Sequence, residues 1–241
     1  MFGITAMAVA QWAYVISLLA GGMVLAAMAA LRLALVDYKL PVLMILIASL
    51  IAFIALLMTV GALVFGQVSQ LNLQRVIIAL VLSAGIFVPV FMAGRALEGI
   101  PLVNDIMTDT DNPPQYAVAP TVRKSFDNSL ELSAAALEKH REHYGDMVPL
   151  MLDGAPAAHF DTVEALVRDR GWKVLSADKE KGTVEATVIT PLFGFKDDVI
   201  IRLSEAGAKT RVDMRSASRQ GRSDYRVNAT RINDFFEDLS N

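Results

Sequence analysis

Between residues 1 and 98 this chain carries only six charged side chains: Arg32, Asp37, Lys39, Arg75, Arg95 and Glu98. They bracket three uncharged stretches, roughly 9–31, 41–65 and 76–94, the second reading PVLMILIASLIAFIALLMTVGALVF. A hydrocarbon core of roughly 30 Å needs about 20 helical residues, and buried helices of water-soluble proteins rarely run so long without a charge. The chain is therefore expected to begin with three membrane-spanning helices. Its start, MFGITAMAVAQW, lacks the basic leader of a cleaved signal peptide, so the first span is expected to stay in the mature protein.

Whole-chain averages conceal a division, because the 54% hydrophobic fraction and the mean hydropathy of +0.44 mix two polymers. Removing the four basic and two acidic residues above from totals of 22 and 25 leaves 18 and 23 in residues 99–241, a soluble density with net charge −5. The expected organisation is a three-helix transmembrane anchor over 1–98 followed by a water-soluble domain over 99–241. With no basic run longer than two residues, that domain lacks the clustered cations that neutralise phosphates, which excludes a nucleic-acid partner. Zero cysteines exclude disulfides, thiolate catalysis and cysteine-ligated metals.

Within the spans, Gly22, Ala26 and Ala30 recur every four residues, a spacing that lets helix backbones approach closely; packing among the chain's own helices is the preferred reading over dimerisation. Pro89 is expected to kink the third span unless neighbouring groups satisfy the freed carbonyl. No ionisable residue lies mid-membrane, which favours an anchor over a transporter. Near the membrane, Arg32, Lys39 and Arg95 stand on the side of the soluble domain against Arg75 and the terminal amine, a small bias toward a cytoplasmic domain.

From residue 99 the texture changes to turns, and Asn-Pro-Pro at 112–114 forces an extended course. Helical signals follow at about 129–144, at 156 onward behind Asp153-Gly-Ala-Pro156 with Gly171 closing it, and at about 224–239 with Ser223 as N-cap and Asp224 in the first turn. Strand signals are VPLML, WKVLSA (172–177), TVEATVIT (183–190), DVIIRLS (198–204) and TRVDMRSA (210–217). If EAGAK turns the last two and their apolar faces coincide, Leu203 lies opposite Val212 and Arg202 opposite Asp213 on the solvent face. Asn228 falls inside the apolar stripe of the final helix, where an amide needs partners. The order predicts an α+β domain, an antiparallel sheet of about four to five strands with helices on one face.

Two segments, NDIMTDTDNPPQY (Asn104 to Tyr116) and FKDDVIIRL with RVDMRSASRQGRSDYRVNATRI (Phe195 to Ile232), resemble the signature ends of the family called domain of unknown function 1499. HYGDMVPLML and GWKVLSADKEKGTVEATVITPLFGF also fit, so the resemblance covers about residues 100–240. Gly145 departs from an expected proline, and Tyr225-Arg226 from a more usual apolar-glycine pair. The resemblance implies no activity. It implies an envelope location, with the domain outside a bacterial inner membrane, and the periplasmic side is preferred on that ground.

The densest functional signal is RSASRQGRSD, with Arg215, Ser216, Ser218, Arg219, Arg222, Ser223 and Asp224. Backbone N–H groups at a helix start, with Arg219 and Arg222, suit one anion: a phosphate, carboxylate or lipid head group. The competing and preferred account is an internal clamp, in which these arginines pair with the acidic entry ribbon of Asn104, Asp105, Asp109 and Asp111 and with Asp197 and Asp198. It places Arg219 or Arg222 at salt-bridge distance from Asp105, Asp109 or Asp111. His140 and His143 have the spacing of a weak helical metal site, but a solvated face explains them better; no metal or cofactor is expected. Asp146 and Asp153 lie near turns, with capping as their ordinary role. The leading expectation is a membrane-anchored envelope module that binds or scaffolds a protein or anionic ligand. The rivals are a hydrolase or transferase acting on an anionic envelope substrate, with Arg215, Arg219 and Arg222 as charge clamps, and a lipid-handling domain with a cavity between sheet and closing helix.

Overall fold

In the computed structural model, which describes residues 5–66, 72–223 and 225–241, the uncharged stretches become three helices. These are α1 (Ala6–Arg32), α2 (Lys39–Phe65) and α3 (Leu73–Ala96), each long and apolar enough to cross a membrane. Thr5 caps α1 by accepting from the Ala8 N–H at 3.2 Å, and Asn72 caps α3 by accepting from Arg75 at 3.1 Å. The helices meet through small residues: Ala13, Ser17, Ala20 and Ala27 of α1, Ala48, Ala52 and Ala55 of α2, and Ala79 and Ser83 of α3 are buried. Large side chains such as Leu19, Leu25, Leu50 and Leu57 point outward. Small inside and large outside inverts the water-soluble pattern and is what lipid-solvated helices require. The Gly22, Ala26, Ala30 row is not the packing seam: Gly22 and Ala26 are exposed, and the seam runs through Ala13, Ala20 and Ala27. α3 continues unbroken through Pro89.

The chain divides at residue 98 into two compact units, Met1–Glu98 and Gly99–Asn241. The second is built on one antiparallel sheet: β1 (Asp105–Met107), β2 (Leu150–Asp153), β3 (Lys173–Asp178), β4 (Thr183–Ile189), β5 (Lys196–Ala206) and β6 (Lys209–Ser218). The order is β1-β6-β5-β4-β3, and β2 also pairs with β6. The sheet thus has six strands, because β1 and β2 share one edge of β6: Asp105 to Met107 face Ala217 to Arg215, and Leu150 to Asp153 face Val212 to Lys209. Alternation sets the register as expected, with Leu203 opposite Val212 and Arg202 opposite Asp213. The strands run further than the expected loop allows, leaving Gly207 and Ala208 as the turn, with Gly207 at φ +67°.

Helices α6 (Pro156–Asp169) and α7 (Val227–Ser240) cover one face of the sheet. Phe160, Val163 and Val167 of α6 and Ile232 and Phe235 of α7 pack on Val184, Val199, Ile201, Val212 and Met214. Trp172 stacks on Phe235 at 5.5 Å. The opposite face, expected to meet water, is instead covered by an irregular segment that includes the short α4 (Ala119–Val122), so Asp213 is fully buried. α5 spans Ala134–Tyr144, capped by Ser133, and starts later than the helical signal suggests. α7 also starts late. Tyr225 and Arg226 adopt φ +55° and +65°, and the Ser223 hydroxyl donates to the Pro101 carbonyl at 2.9 Å instead of capping a helix. Asp224 lies outside the described residues.

Gly182 ties the β3–β4 turn to β5. It sits at φ +64°, its carbonyl accepts from the Leu203 N–H at 2.8 Å, and a Cβ there would lie 2.5 Å from the Leu203 oxygen. Gly182→Ala is expected to lower unfolding stability by about 2–3 kcal/mol, read as a shifted denaturant midpoint of Trp172 fluorescence.

Candidate functional site

Period-two alternation splits the RSASRQGRSD stretch between the two faces of β6. Arg215 and Arg219 point to the face covered by residues 108–132, whereas Ser216 and Ser218 point toward α7. Arg222 is exposed and forms no ion pair among the described residues. The three arginines therefore do not converge on one anion. Nor does a helix start there, since α7 begins only at Val227.

Each buried arginine has its own carboxylate. Arg215, 1% exposed, grips Asp105 through Nε (3.0 Å) and Nη2 (2.7 Å), donates to the Pro114 and Leu130 carbonyls, and lies 5.0 Å from the Tyr116 ring centre. Arg219 holds Asp198 through Nε (3.0 Å) and Nη2 (2.7 Å) and donates to Thr187 and the Val122 carbonyl. Asp198 also accepts from Arg123 Nε at 2.7 Å and from Thr187 Oγ1 at 2.8 Å. Asp213 and Asp109 are shared by Arg202 and Arg211 at 2.8–3.1 Å. On this face the guanidinium groups of Arg123, Arg202, Arg211, Arg215 and Arg219 thus meet the carboxylates of Asp105, Asp109, Asp198 and Asp213. Glu185 completes the layer with backbone partners, accepting from the N–H groups of Ala117, Val118 and Ala119 at the start of α4.

The α7 face carries a smaller network. Arg231 reaches Asp197 at 2.6 Å and Ser216 Oγ at 2.7 Å. Asn228 finds the partners its buried amide needs: Oδ1 accepts from Ser216 Oγ at 2.6 Å, and Nδ2 donates to Ser218 Oγ at 3.0 Å and to the Asn104 carbonyl at 3.2 Å. The Asn104 side chain donates to the Gly221 carbonyl at 2.9 Å. Asp111 is exposed and pairs with Arg141 of α5 at 2.8 Å.

The partners come from the expected set of acids, but neither Arg219 nor Arg222 pairs with Asp105, Asp109 or Asp111 among the described residues. Arg219 takes Asp198, and it is Arg215 that takes Asp105. Sequence reasoning missed Arg123, Glu185, Arg231 and Tyr116. Glu185 left a signal, a carboxylate inside the apolar run TVEATVIT, and Arg231 left another, lying one helical turn from Asn228. His140 is also corrected: it is 1% exposed, not solvated, and its Nε2 accepts from the Met107 N–H at 3.0 Å. Among the described residues no cluster of three His, Cys, Asp or Glu side chains is arranged to hold a metal.

Burial pushes the Asp105 carboxyl above its ordinary range, against the hydrogen bond and charge of Arg215. Burial also opposes the Arg215 charge, but its bonds to Asp105 outweigh this and leave its pKa raised. Burial, then the charge of Asp105, keeps Tyr116 a neutral phenol well above its usual pKa, and its hydroxyl donates to the Asp198 carbonyl at 2.7 Å. Over this layer opens a cleft of about 550 Å³, lined by Pro113, Gln115, Tyr116, Leu130, Glu131 and Leu132, with Arg215 beneath it.

A family model described as "Protein of unknown function (DUF1499)" matches residues 105–239. No curated protein matches the chain.

Arg215→Met strands Asp105 in a buried site and is expected to cost about 3–5 kcal/mol, much of it recovered by adding Asp105→Leu. Arg222→Ala should stay within about 0.5 kcal/mol; denaturant titration of each variant separates the two. Burial lowers the pKa of His140 from 6.5 to about 4. The unfolded chain then binds the extra proton between those values, so His140 contributes stability above pH 6.5 that is lost as pH falls toward 4, by up to about 3 kcal/mol. Asp105, raised in the folded state, contributes with the opposite sign. The comparison that isolates the histidine is therefore wild type against His140→Gln: the stability difference, wild type minus variant, should decrease as pH falls from 6.5 toward 4.

Proposed function

We propose, from the premise that this chain belongs to the DUF1499 family, that it is a membrane-anchored module of the bacterial cell envelope that binds or scaffolds a partner without chemistry of its own. The observation that carries this reading is the internal use of the arginines. Arg215 and Arg219, the cations best placed to hold an anionic substrate, already hold Asp105 and Asp198. Arg215 clamps the entry strand to the sheet, Arg219 ties β5 to the covering segment at the Val122 carbonyl, and the cleft above them is the binding surface.

Two features weigh against the rivals. A hydrolase or transferase needs an acid and a base placed to pass a proton, whereas the Tyr116 hydroxyl beside the cleft is held by backbone carbonyls, which leaves Glu131 as the carboxylate among the lining residues. A lipid-handling domain needs space between the sheet and α7, where Ile232 and Phe235 are fully buried among core side chains. Three helices of membrane-crossing length support membrane anchoring; the inner membrane, with the domain on its periplasmic side, is what the family resemblance implies.

Titration of the detergent-solubilised protein with inorganic phosphate is expected to show no saturable binding that Arg215→Lys or Arg219→Lys weakens; such binding would favour the anionic-substrate reading. An alkaline phosphatase fused after Asn241 is expected to be active and a green fluorescent protein fused there dark. The reverse pattern would put the domain in the cytoplasm.

A further inference from the structure

One end of the sheet is unlike the other. Asn104, Ser218, Asp197 and Val188 form a single row across it: the Asn104 carbonyl accepts from the Ser218 N–H at 2.8 Å, Ser218 faces Asp197, and Asp197 faces Val188. Past this row lie the β4–β5 tip (Thr190 to Phe195), the loop leading to α7, and the incoming chain. Among the described residues after Gly99, eight large apolar or tyrosine side chains are exposed, and five sit at this end: Leu102, Ile189, Leu192, Tyr225 and Val227. Lys196 and the exposed Arg222 accompany them. The far end instead carries Lys179, Glu180, Lys181 and Lys209 around its turns.

The tip is also built to leave water. The Thr190 N–H donates to the Phe195 carbonyl at 2.8 Å, Phe195 N–H donates to Thr190 Oγ1 at 2.9 Å, and Gly194 N–H donates to the Thr190 carbonyl at 3.0 Å. Pro191 has no N–H to satisfy. Phe193 and Phe195 lie 5.8 Å apart behind Leu192, which is 60% exposed. With the N–H groups of Thr190, Gly194 and Phe195 bonded within the turn, fewer polar groups remain to be desolvated on entering an apolar phase.

The covalent connection decides which surface is in reach. α3 ends at Ala96 and β1 begins at Asp105, so the connector of residues 97–104 spans at most about 30 Å. The far end of β5 lies roughly 35 Å further along the sheet. We infer that the β4–β5 tip, flanked by Tyr225 and with Lys196 and Arg222 at its rim, docks into the lipid surface that the anchor helices cross. Interfacial tyrosine and basic side chains facing anionic head groups suit that boundary. The inference rests on the anchor reading, since it takes α1 to α3 to be in the bilayer.

The chain has no cysteine, so single-cysteine variants of the full protein carry one fluorophore each. Leu50→Cys, Leu192→Cys and Ala208→Cys are labelled and reconstituted in vesicles of phosphatidylethanolamine and phosphatidylglycerol, with and without bilayer-embedded quenching lipids. The labels at 50 and 192 are expected to lose most of their emission to the quenching lipids, and the label at 208 to lose it only to aqueous iodide. A label at 192 that behaves like the one at 208 overturns the inference and leaves the anchor intact. A label at 192 shielded from both quenchers means that a second copy covers the tip, which also overturns it. A label at 50 that escapes the lipid quenchers removes the anchor reading and this inference with it.

Discussion

A guanidinium that is 1% exposed and bonded to a carboxylate 110 residues upstream joins the first strand of the domain to its last. Arg215 also holds the carbonyls of Pro114 and Leu130, so one side chain fastens β1, the extended Asn-Pro-Pro course and the approach to α5. Remove that grip and Asp105, Tyr116 and the cleft above them lose their common support. A buried ion pair adds little net stability over an apolar replacement of the same volume, whereas an isolated member is costly. The arrangement therefore penalises wrong geometries more than it rewards the right one.

That penalty acts on register. Slipping β6 by one residue would carry Asp213 and Arg215 into the apolar layer against α6 and α7, and would carry Val212 and Met214 into the polar one. Both faces of the sheet are buried, one by aliphatic and aromatic side chains and the other by paired charges. Each face vetoes the slip independently. The left-handed Tyr225 and Arg226 add a local cost before α7 that a glycine would avoid. It is the position where the chain departs from the apolar-glycine pair expected of its relatives.

Alternation made the β5–β6 pairing legible, because Val199, Ile201 and Leu203 must share a face with Val212 and Met214. The three apolar helices were legible for the same kind of reason, since long uncharged runs allow few alternatives, whereas the starts of α5 and α7 were not. The cover on the polar face was not legible. Residues 108–132 have no periodicity, and their hold on the sheet comes from backbone carbonyls and N–H groups that every sequence possesses, such as those of Ala117 to Ala119 on Glu185. Without that cover in view Asp213 reads as a solvated acid, and without β1 to receive α5 His140 reads as a surface histidine. β1 was hidden because the three residues Asp105 to Met107 carry too little alternation to register. Which arginine takes which acid depends on distances in space, and identical side chains a few residues apart offer no way to choose.

During synthesis β1 leaves the ribosome soon after the third apolar helix, yet its partner β6 and the arginine that neutralises Asp105 come 110 residues later. At roughly 5–20 residues per second, the acidic ribbon waits on the order of ten seconds without a mate. A chain arranged this way stays open until its last strand emerges, and closes only when the whole domain is available to fold.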